Sequence, residues 1–231
     1  MEKSENISPD TRGCESGDDA RERTLMAAEK LFAEKGLDGV SIRQITSAAN
    51  CNVAAVNYYF GGKQKLYIEV CRQRLDLLRE LRISRIRQVM AAGNHKVTLE
   101  ELLTAFAEAF MEPLIGQEYG CHTLKLFIRE MIDKNLPEGM LFELLIGPII
   151  EELLKALKVV CPELSKQDAL LSIQSLAAQL ARVATIQNLV SDEKIKKSPL
   201  FDLELNLKHI VKFSAAGIRA YTKNANENED Q

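Results

Sequence analysis

From Ala20 to Lys35 the apolar residues Leu25, Ala28, Leu31 and Phe32 recur three and four apart, the period of a helix that buries one stripe. Gly36 supplies a residue able to end such a helix in the left-handed conformation. Ser41, followed three residues later by Gln44, reads as a capping box. It opens a short helix that places Ile42, Ile45 and Ala49 on one face. Asn50 is expected to adopt the left-handed conformation of a tight turn. Asn52 is expected to cap a second short helix, Val53 to about Tyr59, with Val53, Val56 and Phe60 inward. Gly61-Gly62 breaks it, and a long helix runs from near Lys63 to Ala92.

The same punctuation continues. Thr98-x-x-Glu101 caps a helix carrying Leu102, Leu103, Phe106, Phe110 and Met111, which Pro113 and Gly116 interrupt. Cys121–Lys134 resumes with Leu124, Phe127, Ile128 and Met131 inward. Pro137 starts a further segment, and Pro148 begins or kinks a helix through Val160. Ser165-x-x-Asp168 caps a long apolar helix to about Val190, and Ser198-Pro199 opens the last one before a polar tail, Lys223–Gln231. No stretch alternates with period two for long enough to be a strand. The pattern predicts an all-α protein of about nine helices.

Charge sharpens this picture. The 231-residue chain has a net charge of −3, which by itself argues against nucleic acid. Yet residues 23–96 carry 13 basic and 6 acidic side chains, while residues 97–231 carry 14 basic and 20 acidic. A basic front section joined to an acidic remainder suits a DNA-binding module fused to something else. The polar, acidic N-terminus (Met1–Asp19) lacks the apolar core of a signal peptide, and no uninterrupted apolar run reaches bilayer length, so a cytoplasmic protein without membrane contact is expected. Cys14, Cys51, Cys71, Cys121 and Cys161 are scattered and never paired as C-x-x-C, which points to apolar filler rather than a zinc site or disulfide framework.

Two short helices joined by a tight turn can form a helix-turn-helix spanning roughly Ser41 to Phe60. Ala54, Ala55, Asn57 and Tyr58 would point outward; the alanines admit close approach to base edges, and Asn57 and Tyr58 can hydrogen-bond bases or phosphates. Arg43 is a candidate for a base or phosphate contact, and Lys63 for a phosphate contact at a helix N-terminus. A generic helical hairpin explains the same periodicity, so pattern alone leaves both readings open.

The residues themselves carry a resemblance. Arg23-x-x-x-Ala27-Ala28-x-x-Leu31-Phe32-Ala33-x-x-Gly36, Val40-Ser41-Ile42-Arg43-x-Ile45, Ala48-Ala49-Asn50 and Val56-Asn57-Tyr58-Tyr59-Phe60-x-x-Lys63-x-x-Leu66 together resemble the TetR/AcrR family of transcriptional regulators. The resemblance implies an N-terminal three-helix DNA-binding domain and a C-terminal helical domain that binds an effector and dimerises. It implies DNA-binding roles for Arg43, Asn52, Val53, Ala54, Ala55, Asn57, Tyr58, Tyr59 and Lys63. Three positions depart from the family pattern: Asn50 for Gly, Asn57 for Tyr and Thr46 for Ala. The Val56–Lys63 run and two C-terminal segments, Pro199–Leu203 and His209–Phe213, are similar to the CecR-like branch, which implies control of membrane-transport or drug-sensitivity genes. The expected divisions are a disordered tail (1–19), the DNA-binding domain (20–66), the effector-binding and dimerisation domain (67–223) and a second tail (224–231).

Within the larger domain, Phe106, Phe110, Met111, Phe127, Met131 and Phe142 are candidates to line an effector site between helices. His122 and Arg182 join them because a polar group on an apolar helix needs a partner; Arg182 could equally serve a dimer interface. The arginines 72, 74, 79, 82, 85 and 87 spread around the long helix and read as a solvated surface. The segments 165–190 and 199–221 are expected to form the homodimer interface, the first so apolar that it must be covered on most sides. Twofold symmetry then predicts a pseudo-palindromic operator. No cofactor is expected. An enzyme on a helical bundle is disfavoured by the lack of H-E-x-x-H, Walker and G-x-G-x-x-G motifs, and a redox sensor would act through Cys14 or Cys121.

Overall fold

The computed structural model describes residues 17–92, 96–115, 117–190 and 198–229, and every described element is helical. We number the helices α1 (Gly17–Lys35), α2 (Ile42–Ala48), α3 (Val53–Phe60), α4 (Lys63–Ala91), α5 (Leu99–Met111), α6 (Gln117–Asp133), α7 (Gly147–Val160), α8 (Lys166–Leu189) and α9 (Leu203–Glu229). The N-terminal tail expected over 1–19 lies mostly outside the described residues, and 17–19 already belong to α1. The polar C-terminal segment from Lys223 is not a separate tail either, since α9 continues to Glu229.

Local chemistry sets the ends. Ser41 accepts from the Gln44 backbone N–H while the Gln44 side chain accepts from the Ser41 backbone N–H, and Thr98 and Glu101 do the same for α5. Ser165 accepts from the Asp168 N–H, and Asn52 accepts from the Ala55 N–H at 2.8 Å to start α3. Gly36 (φ +73°) and Gly61 (φ +70°) are left-handed, as their positions require. Asn50 has φ +50° in the turn between α2 and α3. Asn tolerates this conformation where a β-branched residue does not. Asn50→Val should therefore lower stability by roughly 1–2 kcal/mol in urea titration, while Asn50→Gly stays within about 0.5 kcal/mol.

Two apolar cores share α4. The first joins Leu25, Ala28, Phe32, Val40, Ile45, Val56 and Phe60 to Leu66, Tyr67, Val70 and Cys71 of α4 and to Leu126 of α6. The second begins at Leu75 and runs through α5, α7, α8 and α9. Because α5 lies among α4, α7, α8 and α9, it buries Leu99, Leu102, Leu103, Ala105, Phe106, Ala107, Ala109 and Met111 and leaves its glutamates to the outer face.

Before α7 the chain departs from the expected pattern. Phe142–Ile146 is a π-helical turn, in which the Gly147 N–H reaches back to the Phe142 carbonyl. Pro148 explains it: proline has no N–H to offer the Leu144 carbonyl four residues back. That carbonyl instead accepts from Arg79 Nη1 of α4 at 3.2 Å. The wide turn rotates Phe142 outward, where it is 58% exposed, so it does not join the effector-lining group expected for it.

Met131 is likewise corrected. It is 75% exposed, because the neighbouring Glu130 takes the inward position. Glu130 is drawn there by Tyr67 Oη, which donates to its Oε2 at 2.8 Å, and by the Leu136 N–H, which donates to its Oε1 at 2.6 Å. Hydrophobic pattern alone cannot rank a buried carboxylate that has two donors above a methionine.

Helix α8 is not covered on most sides in the single chain. Ala169, Ile173, Leu176, Leu180, Val183 and Ala184 are buried, whereas Leu171, Ser175, Ala178 and Arg182 are exposed on the opposite face. Although no apolar run is uninterrupted, Lys166–Asn188 reaches a mean hydropathy of 1.3, long and apolar enough to cross a membrane by length and composition. In the fold, this helix packs its stripe on α9, α7 and α5.

Candidate nucleic-acid interface

Helix α3 is held from one side only. Val56 is fully buried and Phe60 nearly so, while Tyr59 packs part-buried against the same core. Val53, expected inward, is 41% exposed; it stands in the first turn, ahead of the point where the core reaches the helix. The outer face therefore presents Asn52, Val53, Ala54, Asn57 and Tyr58, with Ala55 at its edge. Tyr58 is 84% exposed and meets Tyr59 edge to face at 5.1 Å. Arg43 is exposed on α2. These residues form a face with small side chains, hydrogen-bonding tips and one cation, the inventory that a major groove can accept.

Lys63 is placed differently from expectation. Its ammonium donates to the carbonyls of Leu37 at 2.9 Å and Val40 at 3.0 Å, so it laces the α1–α2 loop to the start of α4. Two of its three donors are committed to the protein, leaving one at most for a phosphate.

Further residues hold this unit in place, and of these only Arg23 stands in the motif read from the sequence. Arg23 Nε donates to the Ala49 carbonyl at 3.2 Å, joining α1 to the end of α2. Arg129 of α6 donates to the carbonyls of Ala33 (3.1 Å) and Glu34 (2.7 Å), which the end of α1 leaves without helical partners. Gln64 reaches the Asn135 carbonyl at 3.1 Å. Burial and the nearby Glu130 push the Cys71 thiol up to about 12, and burial raises the Tyr67 phenol too. Cys71 is thus an inert thiol at this junction. Cys14 and the side chain of Cys121 lie outside the described residues.

The α4 arginines are not simply solvated. Arg74 pairs with Glu29 of α1 and Arg79 with Asp76, Arg85 lies 3.8 Å from Glu112, and Arg87 meets Glu152 of α7 at 2.8 Å. Arg82 is buried, with its guanidinium carbon 4.0 Å from the centre of the Phe110 ring. Of the other effector candidates, Phe106, Met111 and His122 are buried and Phe127 is part-buried. Phe106 and Phe110 meet edge to face at 6.0 Å. Arg182 stands on the exposed face of α8. Among the described residues no group of three or more His, Cys, Asp and Glu could hold a metal ion.

Comparison with known proteins converges on the same unit. Residues 25–70 match the model of the bacterial regulatory proteins, tetR family. Over 56 residues the chain is 41% identical to the transcriptional repressor NicS of Pseudomonas putida, covering 24% of this chain and 26% of that one. Over 64 residues it is 34% identical to the dual regulator CecR of Shigella flexneri, covering 28% of each. The matches thus span about a quarter of these relatives. At the level of fold, a transcriptional regulator from Saccharomonospora viridis, solved in complex with choline, superposes with a TM-score of 0.61 at 17% identity, covering 87% of this chain and 96% of that one. All three are transcriptional regulators by name. Its N-terminal unit, residues 25–70, thus matches the tetR family of bacterial regulatory proteins, and the helices that follow share the fold of the solved regulator.

Proposed function

We propose that the chain is a homodimeric transcriptional repressor that grips a pseudo-palindromic operator and is released from it by a small-molecule effector. The observation that carries this reading is the bare outer face of α3, with Tyr58 84% exposed beside Ala54 and Asn57, on the basic section of an otherwise acidic chain. A plain helical hairpin gains nothing from an exposed tyrosine at this point. In this reading α3 enters the major groove, Arg43 contacts its edge, and Lys63 holds the loop while offering its remaining donor to a phosphate. Dimerisation uses the exposed faces of α8 and α9, which is where Arg182 lies. The similarity to CecR supports membrane-transport or drug-sensitivity genes as targets, with the protein working in the cytoplasm where its operator is.

Footprinting on the promoter region beside its own gene tests this. A protected palindrome is expected, and Arg43→Ala or Tyr58→Ala should each weaken binding about tenfold or more, in line with the 1–3 kcal/mol of a base contact, with unchanged thermal stability. No protection at modest salt by a folded dimer overturns the reading.

A further inference from the structure

Arg82 stands where the pattern of α4 calls for an apolar residue. Leu75, Leu78 and Ile86 share its stripe and are buried at 2% exposure or less, while Arg82 itself is 6% exposed. The other inward-turned arginines of this helix have carboxylates: Arg74 has Glu29, and Arg79 has Asp76 together with the Leu144 carbonyl. Arg82 has none among the described residues, and its Nε is buried without an acceptor. Its contact is the face of Phe110, at 4.0 Å. A ring face attracts the cation but cannot accept the five N–H bonds that a guanidinium offers. Burial, with no anion opposing it, pulls the group down to about 10, so it remains charged at neutral pH. A leucine or methionine would fill this place without the penalty of a bare buried charge.

We propose that Arg82 anchors the anionic head group, a carboxylate or a phosphate monoester, of an amphiphilic effector whose apolar body lies against Phe110 and the adjoining faces of α4 and α5. This rests on the ligand-responsive reading above and names the chemistry of its ligand. The position suits regulation: α4 carries Arg82 at its middle and abuts α3 at its start. Neutralising the cation draws on the same helix that holds the DNA-facing unit. A guanidinium binds either anion through two parallel bonds, which fixes the orientation of the ligand as well as its charge.

Calorimetric titration of the full chain with octanoate, octyl phosphate and the neutral octanamide tests this. At least one anion should bind saturably, one per chain, and at least tenfold more tightly than the amide. The stronger of the two anions identifies the head group. Arg82→Gln should reduce anion affinity at least tenfold, to the level of the amide. If that variant does not fold, Arg82→Met restores the apolar stripe and is expected to raise the melting temperature while abolishing the preference for anions. Equal binding of anion and amide, binding of neither anion, or an unchanged anion preference in the variants overturns the proposal. Promoter binding by unliganded wild-type protein is measured alongside. Its failure sinks the regulatory reading and leaves an anion site standing, whereas intact DNA binding without anion binding sinks only the site.

Discussion

Phe213→Glu is expected to convert the protein from a dimer to a monomer and to weaken operator binding by a hundredfold or more. In the single chain, α9 buries Ile210, Val211, Ala215 and Ile218 on α8 and α5 and leaves the opposite face bare. That face carries Leu205 (51% exposed), His209, Phe213 (63%), Ala216 and Ala220, and the His209 and Phe213 rings stack at 6.0 Å. Beside it, α8 exposes Leu171, Ser175, Ala178 and Arg182. Large apolar groups interleaved with small ones let two helix pairs approach closely across a twofold axis. A carboxylate at 213 would have to be desolvated in the contact between the two copies, which opposes association. The functional loss follows from linkage: two half-sites held by one dimer bind with an effective concentration that a monomer lacks, worth 10²–10⁴ in affinity. Light scattering should show wild-type protein at twice its 25.9 kDa chain mass and the variant at one chain mass, with the helical spectrum unchanged. A monomeric wild type, or a variant that stays dimeric and binds DNA normally, refutes the prediction.

The exposed face of α9 also shows what the sequence can and cannot reveal. Periodicity places α2, α3, α5 and α8 well because each begins at a local signal: Ser41, Asn52, Thr98 and Ser165 all cap where a short polar side chain precedes an apolar run. The outer face of α3 is legible for the same reason, since Val56 and Phe60 sit at helical spacing and their neighbours are small or polar. What stays hidden is long-range. Glu130 turns inward because Tyr67, 63 residues away, donates to it, and Met131 is displaced as a result. Lys63 is committed to Leu37 and Val40 by a loop that closes only in the fold. The arginines of α4 look like a solvated helix because several of their carboxylates lie elsewhere, Glu29 on α1, Glu112 just past α5 and Glu152 on α7. The apolar richness of α8 does not show which of its faces the chain itself covers. The helix divides into a face that the chain covers and a face that it leaves for a second copy under the dimeric reading.

Arg74→Ala is the substitution expected to cost the most stability, about 3–5 kcal/mol, because of what it leaves behind. Glu29 lies on α1 with its side chain 7% exposed, paired through Oε2 with Arg74, and its Oε1 is buried without an acceptor or donor in reach among the described residues. Removing the guanidinium strands a carboxylate that is itself largely buried in the seam between α1 and α4. The neighbouring pair in the same seam behaves differently. Arg21 and Glu69, 2.9 Å apart, are 40% and 31% exposed, so Arg21→Ala should cost no more than about 1 kcal/mol. For a chain of this size, 3–5 kcal/mol corresponds to a fall in melting temperature of roughly 10 °C. The reverse truncation, Glu29→Gln, should cost less, because Arg74 is 23% exposed and its fork can turn toward solvent. Combining the two as Glu29→Gln/Arg74→Ala removes the stranded charge and should recover part of the loss, a coupling that a double-mutant cycle reads directly. Equal costs for Arg74→Ala and Arg21→Ala would show that burial does not set the strength of these pairs. A double variant no better than Arg74→Ala alone would show that the arginine acts by packing its stem and not by holding Glu29.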